Sequence, residues 1–269
     1  MLRDITIGQY YPVDSVIHKL DARTKMLVTF FYMVSLFLFS KFTGFLLVFV
    51  FLALAVYLSK VPVRYIFKGL RPVLFLLLFS VVLNLFIMPG EVLWEWGSLH
   101  ITRESLRFSV FVSLRLVFLV TGASLMTLTT TPGQLANALE ALMSPLTKLR
   151  VPVHDIAMMM SIALRFIPIL TQEMDTITKA QMARGAELER GNIFVRARKM
   201  IPIIIPLFVS ASRKAEELAQ AMDARCYHAG GDRTQMKSMV YHRRDWVAFG
   251  VLFIYMLLLL VVLRMIPVI

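Results

Sequence analysis

The chain has 269 residues, 58% of them hydrophobic, at a mean hydropathy of +0.71. That is more apolar surface than a water-soluble domain carries, which excludes a soluble globular protein and points to an integral membrane protein. Lys and Arg outnumber Asp and Glu by 29 to 17, so nucleic acid, anionic lipid and a basic cytoplasmic face stay open until the positions of the charges decide.

Residues 1 to 25 carry Arg3, Asp4, Asp14, Lys19, Asp21, Arg23 and Lys25, with no apolar run of signal-peptide length among them. The N-terminus is therefore expected to be retained and cytosolic. Met26 to Ser40 and Phe42 to Ser59 read as two short spans joined by a tight turn at Thr43-Gly44. Pro72 to Met88 gives a third span, Leu106 to Thr129 a fourth despite Arg107 and Arg115, and Trp246 to Leu263 a fifth. These spans do not divide into two similar halves of the kind found in many secondary transporters.

Translocating Lys and Arg near span ends is disfavoured, so the basic residues set the orientation. Lys60, Arg64, Lys68 and Arg71 sit between spans two and three without an acid, placing that loop inside. Trp94 and Trp96, with Glu91, Glu95, Arg103 and Glu104, suit the outer interface. The C-terminus is then outside, and residues 130–244, with more than half of the basic residues, are cytoplasmic. The excess charge reads as topology, and nucleic acid is not an expected partner. The single cysteine, Cys226, cannot close a disulfide within the chain, so nothing indicates an oxidising compartment.

The cytoplasmic block opens with "TTTPGQ". Thr131 is the expected N-cap, Pro132 the first helical residue and Gln134 the third, a capping-box arrangement. A short helix follows and breaks around Pro145; a second, much longer one starts at Pro152 and runs to Gly185. A third runs from about Ile193 to Arg225 and is expected to bend or break near Pro202 and Pro206.

On the second helix Ile156, Met160, Ala163, Ile167, Leu170, Met174 and Ile177 alternate gaps of four and three, as Met200, Ile204, Leu207, Ala211, Ala215, Leu218 and Met222 do on the third. Such stripes pack two helices along their length. Both rhythms end on an arginine, Arg184 in "KAQMARGAE" and Arg225 in "QAMDARCYH". A cation at a helix C-terminus is stabilised by the unpaired carbonyls, which accounts for one arginine. It does not account for Ala183 and Ala224 before each, or Ala180 and Ala221 one turn earlier. Small neighbours let the whole helix end enter a groove and present a planar fork to a carboxylate or carbonyl. Gly185 suits the left-handed position that ends a helix.

The stretch "IAMMMSIALRFIPIL" is apolar nearly all round and, taken alone, too short to span. Such an element is expected to lie in the interface or under other protein, and Met158 to Met160 fit an adaptable surface as well as an ordinary core.

No Gly-Lys dipeptide exists, so the chain has no phosphate-cradling GxxxxGK loop and is not its own ATPase of that type. The five histidines lack metal-site spacing, and no cofactor or metal is expected. Arg115, deep in an apolar span, is expected to be structural or to snorkel.

With "TTTPGQLANALEALMSPLTKLRVPVHDIAMMMSIALRFIPIL", "KAQMARG", "AQAMDARCYHAGG" and "IGQYYPVDSVIHKLDARTK" in place, nearly the whole chain resembles the transmembrane T component of energy-coupling factor transporters, bacterial vitamin and metal importers related to ABC transporters. Two departures stand out. Cys226 replaces the usual glycine, so the third helix is expected to end nearer Gly230 and Gly231, and Ala22 replaces a proline before Arg23.

The resemblance implies an all-α integral membrane protein of about five transmembrane helices plus three cytoplasmic-side coupling helices, two of them long and packed on each other. Its regions are residues 1–129 (an N-terminal interfacial segment and four spans), 130–244 (coupling helices) and 245–269 (the last span). It implies a non-catalytic scaffold in the bacterial cell membrane that links two ABC-type ATPase subunits to a separate substrate-binding membrane subunit, the S component. By this resemblance Ala183, Arg184 and Gly185, and Ala224, Arg225 and Cys226, dock the ATPases, while Met158, Met159, Ile162, Phe166, Ile203 and Leu207 face the substrate subunit. The alternative is the permease of a conventional ABC importer, which offers one coupling element per chain where this chain has two.

Overall fold

A computed structural model describes residues 10–39, 41–87, 92–96, 99–186, 192–227 and 239–265. The chain forms two units, Met1–Ala138 with Lys237–Ile269, and Leu139–Met236.

In the first unit, α1 (Ala22–Leu38) starts at Asp21, whose side chain accepts from the Arg23 N–H, and stops where Phe39 turns extended. α2 (Phe42–Ser59) ends at Lys60 in the left-handed conformation. α3 (Val63–Ile87) begins well before Pro72, where the apolar run starts, and takes that proline into its interior. Two short antiparallel strands, β1 (Val92–Trp96) and β2 (Leu99–Thr102), join α3 to α4, with a bulge between Val92 and Trp94; the sequence reading had no ribbon there. α4 (Arg103–Thr129) is opened by reciprocal capping, Ser105 N–H to Thr102 Oγ1 and Thr102 N–H to Ser105 Oγ, each 3.2 Å. α8 (Arg243–Met265) completes the unit.

α4 packs on α1, α2 and α3, and α8 packs on α1 and α2. Aromatic side chains fill the shared core: Phe39, Phe45, Phe111 and Phe118 meet in edge and stacked contacts. Glycine admits two rings of this core, those of Tyr32 and Phe39. A Cβ at Gly122 would lie 2.4 Å from the Tyr32 ring and one at Gly44 2.5 Å from the Phe39 ring. Tyr32 Oη donates to the Phe118 carbonyl at 3.0 Å. Arg115 is structural, as expected: it donates to the Phe39 carbonyl at 3.0 Å, just past the end of α1, and lies 4.7 Å over the Phe111 ring.

In the second unit, α5 (Pro132–Met143), which begins in the first, gives way to a 3₁₀ turn at Ser144–Leu149 containing Pro145. The expected capping box opens α5: Thr131 N–H donates to Gln134 Oε1 at 3.2 Å and Gln134 N–H to Thr131 Oγ1 at 3.3 Å. α6 (Val153–Ala183) follows Pro152, and its His154 meets Glu140 at 2.7 Å. α7 (Ile193–Asp223) runs unbroken through Pro202 and Pro206, so of the bend or break expected there the break does not occur. Each proline removes one internal N–H, and the turns on either side keep the helix continuous.

Among the described residues, five helices are long and apolar enough to cross a membrane: α2, α3 over Val63–Asn84, α4, α6, and α8 over Arg243–Val262. The count matches the sequence reading, but the membership does not. α1, at 17 residues, lies at the short end of the roughly 17–25 residues that cross a bilayer and stands just outside these five. α6 does not stop where its apolar run stops; it continues through polar turns to a length of 31 residues.

Candidate functional site

The two Ala-Arg segments adopt the same local structure. At the end of α6 the Ala186 N–H donates to the Gln181 carbonyl and the Gly185 N–H to Met182, both at 3.0 Å. At the end of α7 the Tyr227 N–H donates to Met222 at 3.1 Å and the Cys226 N–H to Asp223 at 2.9 Å. Each pair is a Schellman termination, in which orphan carbonyls of the last turn are closed by the two residues that follow the cap. In both, the cap is the arginine and the residue after it is left-handed: φ is +90° at Gly185 and +55° at Cys226.

The expectation that α7 would end nearer Gly230 is thereby corrected. Cys226 takes up the left-handed conformation itself, because the two closing hydrogen bonds are available only there, and they outweigh a penalty of about 1 kcal/mol for a side chain in that region. Opposite effects of substitution at the two ends follow. Nothing lies within 4 Å of a Cβ built at Gly185, so Gly185→Ala meets only the conformational penalty and destabilises the α6 end by about 1 kcal/mol. Cys226→Gly removes that penalty and stabilises the α7 end by a similar amount. Thermal unfolding of the purified variants in detergent reads both, as shifts of about 2 °C downward and upward.

Ala183, Arg184, Gly185, Ala224, Arg225 and Cys226 are all exposed, so both guanidinium groups stand outside the chain's own packing. The relation between the ends follows from two contacts. Lys214 on α7 approaches Glu173 on α6 to 3.7 Å, and Tyr227, just past α7, donates its hydroxyl to the sulfur of Met158 near the start of α6. Residue numbers fall along α6 as they rise along α7, so the helices are antiparallel. At 1.5 Å per residue, Arg184 and Arg225 are then roughly 35 Å apart along the pair. One arginine stands at each end of the hairpin.

The apolar stripes are only partly buried. Leu170, Met174 and Ile177 on α6 and Leu207, Ala211, Leu218 and Met222 on α7 are half-buried, while Met160, Ala163, Ile167, Met200, Ile204 and Ala215 are exposed. A strict heptad stripe drifts about 20° per heptad around a straight helix, so it cannot face one partner throughout. Of the residues expected to face another subunit, Met159 is 61% exposed, and Met158, Ile162, Phe166 and Leu207 are half-buried. Ile203, at 6%, is withdrawn into the chain's own packing; its neighbours Ile204, Ile205 and Phe208 are exposed instead.

The sequence reading missed a polar cluster in the first unit. Asp245, 1% exposed, accepts from the Asp21 N–H with one oxygen and from the His242 N–H with the other, both at 2.8 Å. Arg23 donates to Asp21 (3.0 Å) and to the Met239 carbonyl (2.8 Å), and lies 4.1 Å over the Tyr241 ring. Burial pushes the Asp21 carboxyl up, but the Arg23 hydrogen bonds prevail and hold it below the usual carboxylate range. Lys25, 6% exposed, donates to the carbonyls of Thr129 (2.8 Å) and His18 (3.2 Å), and burial lowers its ammonium to about 8. The segment "LDARTK" thus ties the start of α1 to the start of α8 and the end of α4. The local signal for it was acid and base two residues apart before an apolar run; the partner 224 residues away had none.

Comparison with known proteins then narrows the reading. The family model described as cobalt transport protein, CbiQ, matches residues 14–238. A relative from Ruminiclostridium cellulolyticum, named energy-coupling factor transporter transmembrane protein EcfT, is 48% identical over 256 residues, covering 95% of this chain and 96% of its own. Proteins of the same name from Clostridium kluyveri (50% over 250 residues; 92% and 93% covered) and Acidaminococcus fermentans (46% over 264 residues; 98% of each) are similar over nearly their full lengths.

Proposed function

The chain belongs to the CbiQ family and is about half identical to EcfT proteins along most of its length, and on that premise we propose that it is the transmembrane coupling scaffold of an energy-coupling factor importer for a vitamin or other micronutrient. Two ABC-type ATPase subunits bind its cytoplasmic side. Arg184 enters a groove on one and Arg225 a groove on the other. A separate substrate-binding membrane subunit rests on the exposed apolar faces of α6 and α7, around Met158, Met159, Ile162, Phe166 and Leu207. Nucleotide-driven closing of the ATPase pair draws the two ends together or apart, and the hairpin passes that motion to the substrate subunit as a change of orientation. ATP hydrolysis is the partners' chemistry, and this chain supplies the linkage.

The observation that carries this reading is the pair of exposed, arginine-capped Schellman ends at opposite ends of one antiparallel hairpin. A single end would serve a permease that meets one ATPase. Two ends suit a chain that meets both.

In this reading the N-terminus and residues 130–244 are cytoplasmic and the C-terminus is outside. α6, although long enough to cross, has the lowest mean hydropathy of the five candidates, 1.6 against 1.9 to 2.4, and its last turns carry Lys179, Gln181 and Arg184. Protein rather than lipid then covers its apolar half.

Cys226, the only cysteine and an exposed one within the second end, is a built-in probe. A membrane-impermeant maleimide is expected to label it in inverted vesicles stripped of ATPase, not in intact cells, and adding the ATPase subunits back shields it. Labelling of intact cells would reverse the topology, and labelling indifferent to the ATPases would remove Cys226 from the docking site.

A further inference from the structure

The two arginine ends share a backbone but differ in the residue that closes them. After the left-handed position comes Ala186 at the first end and Tyr227 at the second. Ala186 carries only a methyl group and cannot reach a neighbouring helix. Tyr227 is half-buried beside an exposed Arg225, and its hydroxyl crosses to the sulfur of Met158, one turn and a half into α6.

A Schellman end is held by two backbone hydrogen bonds, and helix ends fray readily when nothing else fixes them. A force applied to a fraying tip bends the tip and is not passed to the rod. A second polar tie between the C-terminal half of α7 and α6, among the described residues, is the 3.7 Å approach of Lys214 to Glu173, between side chains that are each about one-third exposed. A pair of that kind is screened by solvent and holds geometry weakly. The ring of Tyr227 is rigid beyond two torsions, and the thioether it meets is polarizable and tolerant of small shifts, so the contact survives modest displacement.

We propose that Tyr227 is a positioning residue: it braces the Arg225 end against the Met158 side of α6, so that movement of that end reaches the apolar face of α6 directly. The inference rests on the docking reading of Arg225. It makes the two ends mechanically unequal, because the Arg184 end has no equivalent side chain at Ala186. Tyr227 lies outside the residues assigned to the ATPase contact and to the substrate-subunit face, so its removal is expected to affect coupling, not assembly.

The experiment uses the complete transporter in proteoliposomes, with ATPase recovery, ATP hydrolysis and transport measured on the same preparations. Tyr227→Ala is expected to retain wild-type amounts of both ATPase subunits and to keep hydrolysing ATP, while transport per ATP falls by roughly two- to tenfold, the range that the loss of one hydrogen bond supports. Tyr227→Phe keeps the ring but loses the hydroxyl that meets Met158, and is expected to lower transport per ATP in the same way; it remains informative should the alanine variant fail to fold. Unchanged transport per ATP in both variants overturns the proposal. Loss of ATPase subunits from either variant also overturns it, since Tyr227 would then belong to the docking contact itself. Failure of the docking reading is separate and shows as ATPase retention by variants of Arg184 and Arg225.

Discussion

Replacing Arg184 and Arg225 together by alanine is expected to reduce transport to background while leaving the chain folded and in the membrane. Both side chains are exposed, so their loss removes nothing from the core. What they lose lies across an interface. A guanidinium that forks onto a carboxylate or a row of carbonyls makes charge-assisted hydrogen bonds, and truncating one partner of such a buried pair costs about 2–5 kcal/mol, or roughly 30-fold and upward in affinity. The two ends act on one ATPase pair, so the second contact forms at a high effective concentration once the first has formed. Each single variant is therefore expected to keep part of the activity, and the double variant to lose more than the sum. Arg→Lys at either position does not restore function, because an ammonium cannot reproduce the planar fork.

The second large effect is expected far from those ends. Asp245→Ala leaves two part-buried backbone N–H groups, those of Asp21 and His242, without their acceptor, and so unfastens the start of α1 from the start of α8. Each orphaned donor costs about 1–3 kcal/mol, giving a loss on the order of 3 kcal/mol in all. Asp245→Asn keeps one carbonyl acceptor and is expected to lose about half as much. Thermal unfolding in detergent reads the difference. Wild-type stability of the alanine variant would show that water or another group takes over both donors.

The helices of this protein were legible because their signals are local. Thr131, Pro132 and Gln134 announced the start of α5, Pro145 its end, and Pro152 the start of α6. The Ala-Arg repeats stood out for the same reason, since a cap and its closing residues lie within one turn. The features that escaped are those decided by competition or by distance. Cys226 was read as a poor helix end from its own preference, but the two closing hydrogen bonds, invisible in composition, prevail. Pro202 and Pro206 were read as a bend or a break, and the helix around them is continuous. The polar cluster at Asp21, Arg23, Lys25 and Asp245 joins three helices whose sequence separation hides their contact. The stripes on α6 and α7 were read as one continuous seam, and the drift of a heptad pattern on straight helices leaves part of each exposed. That exposed part is the surface a second membrane subunit can use.

The two arginine ends carry the whole account, because force from soluble ATPases has no other proposed entry into this chain. The most direct test is the amount of ATPase subunit that copurifies, under mild detergent, with a tagged chain from cells producing the complete transporter, compared between the wild type and the Arg184→Ala/Arg225→Ala variant. The account predicts two ATPase subunits per wild-type chain and none with the variant. Equal recovery from both, with transport intact, would contradict it.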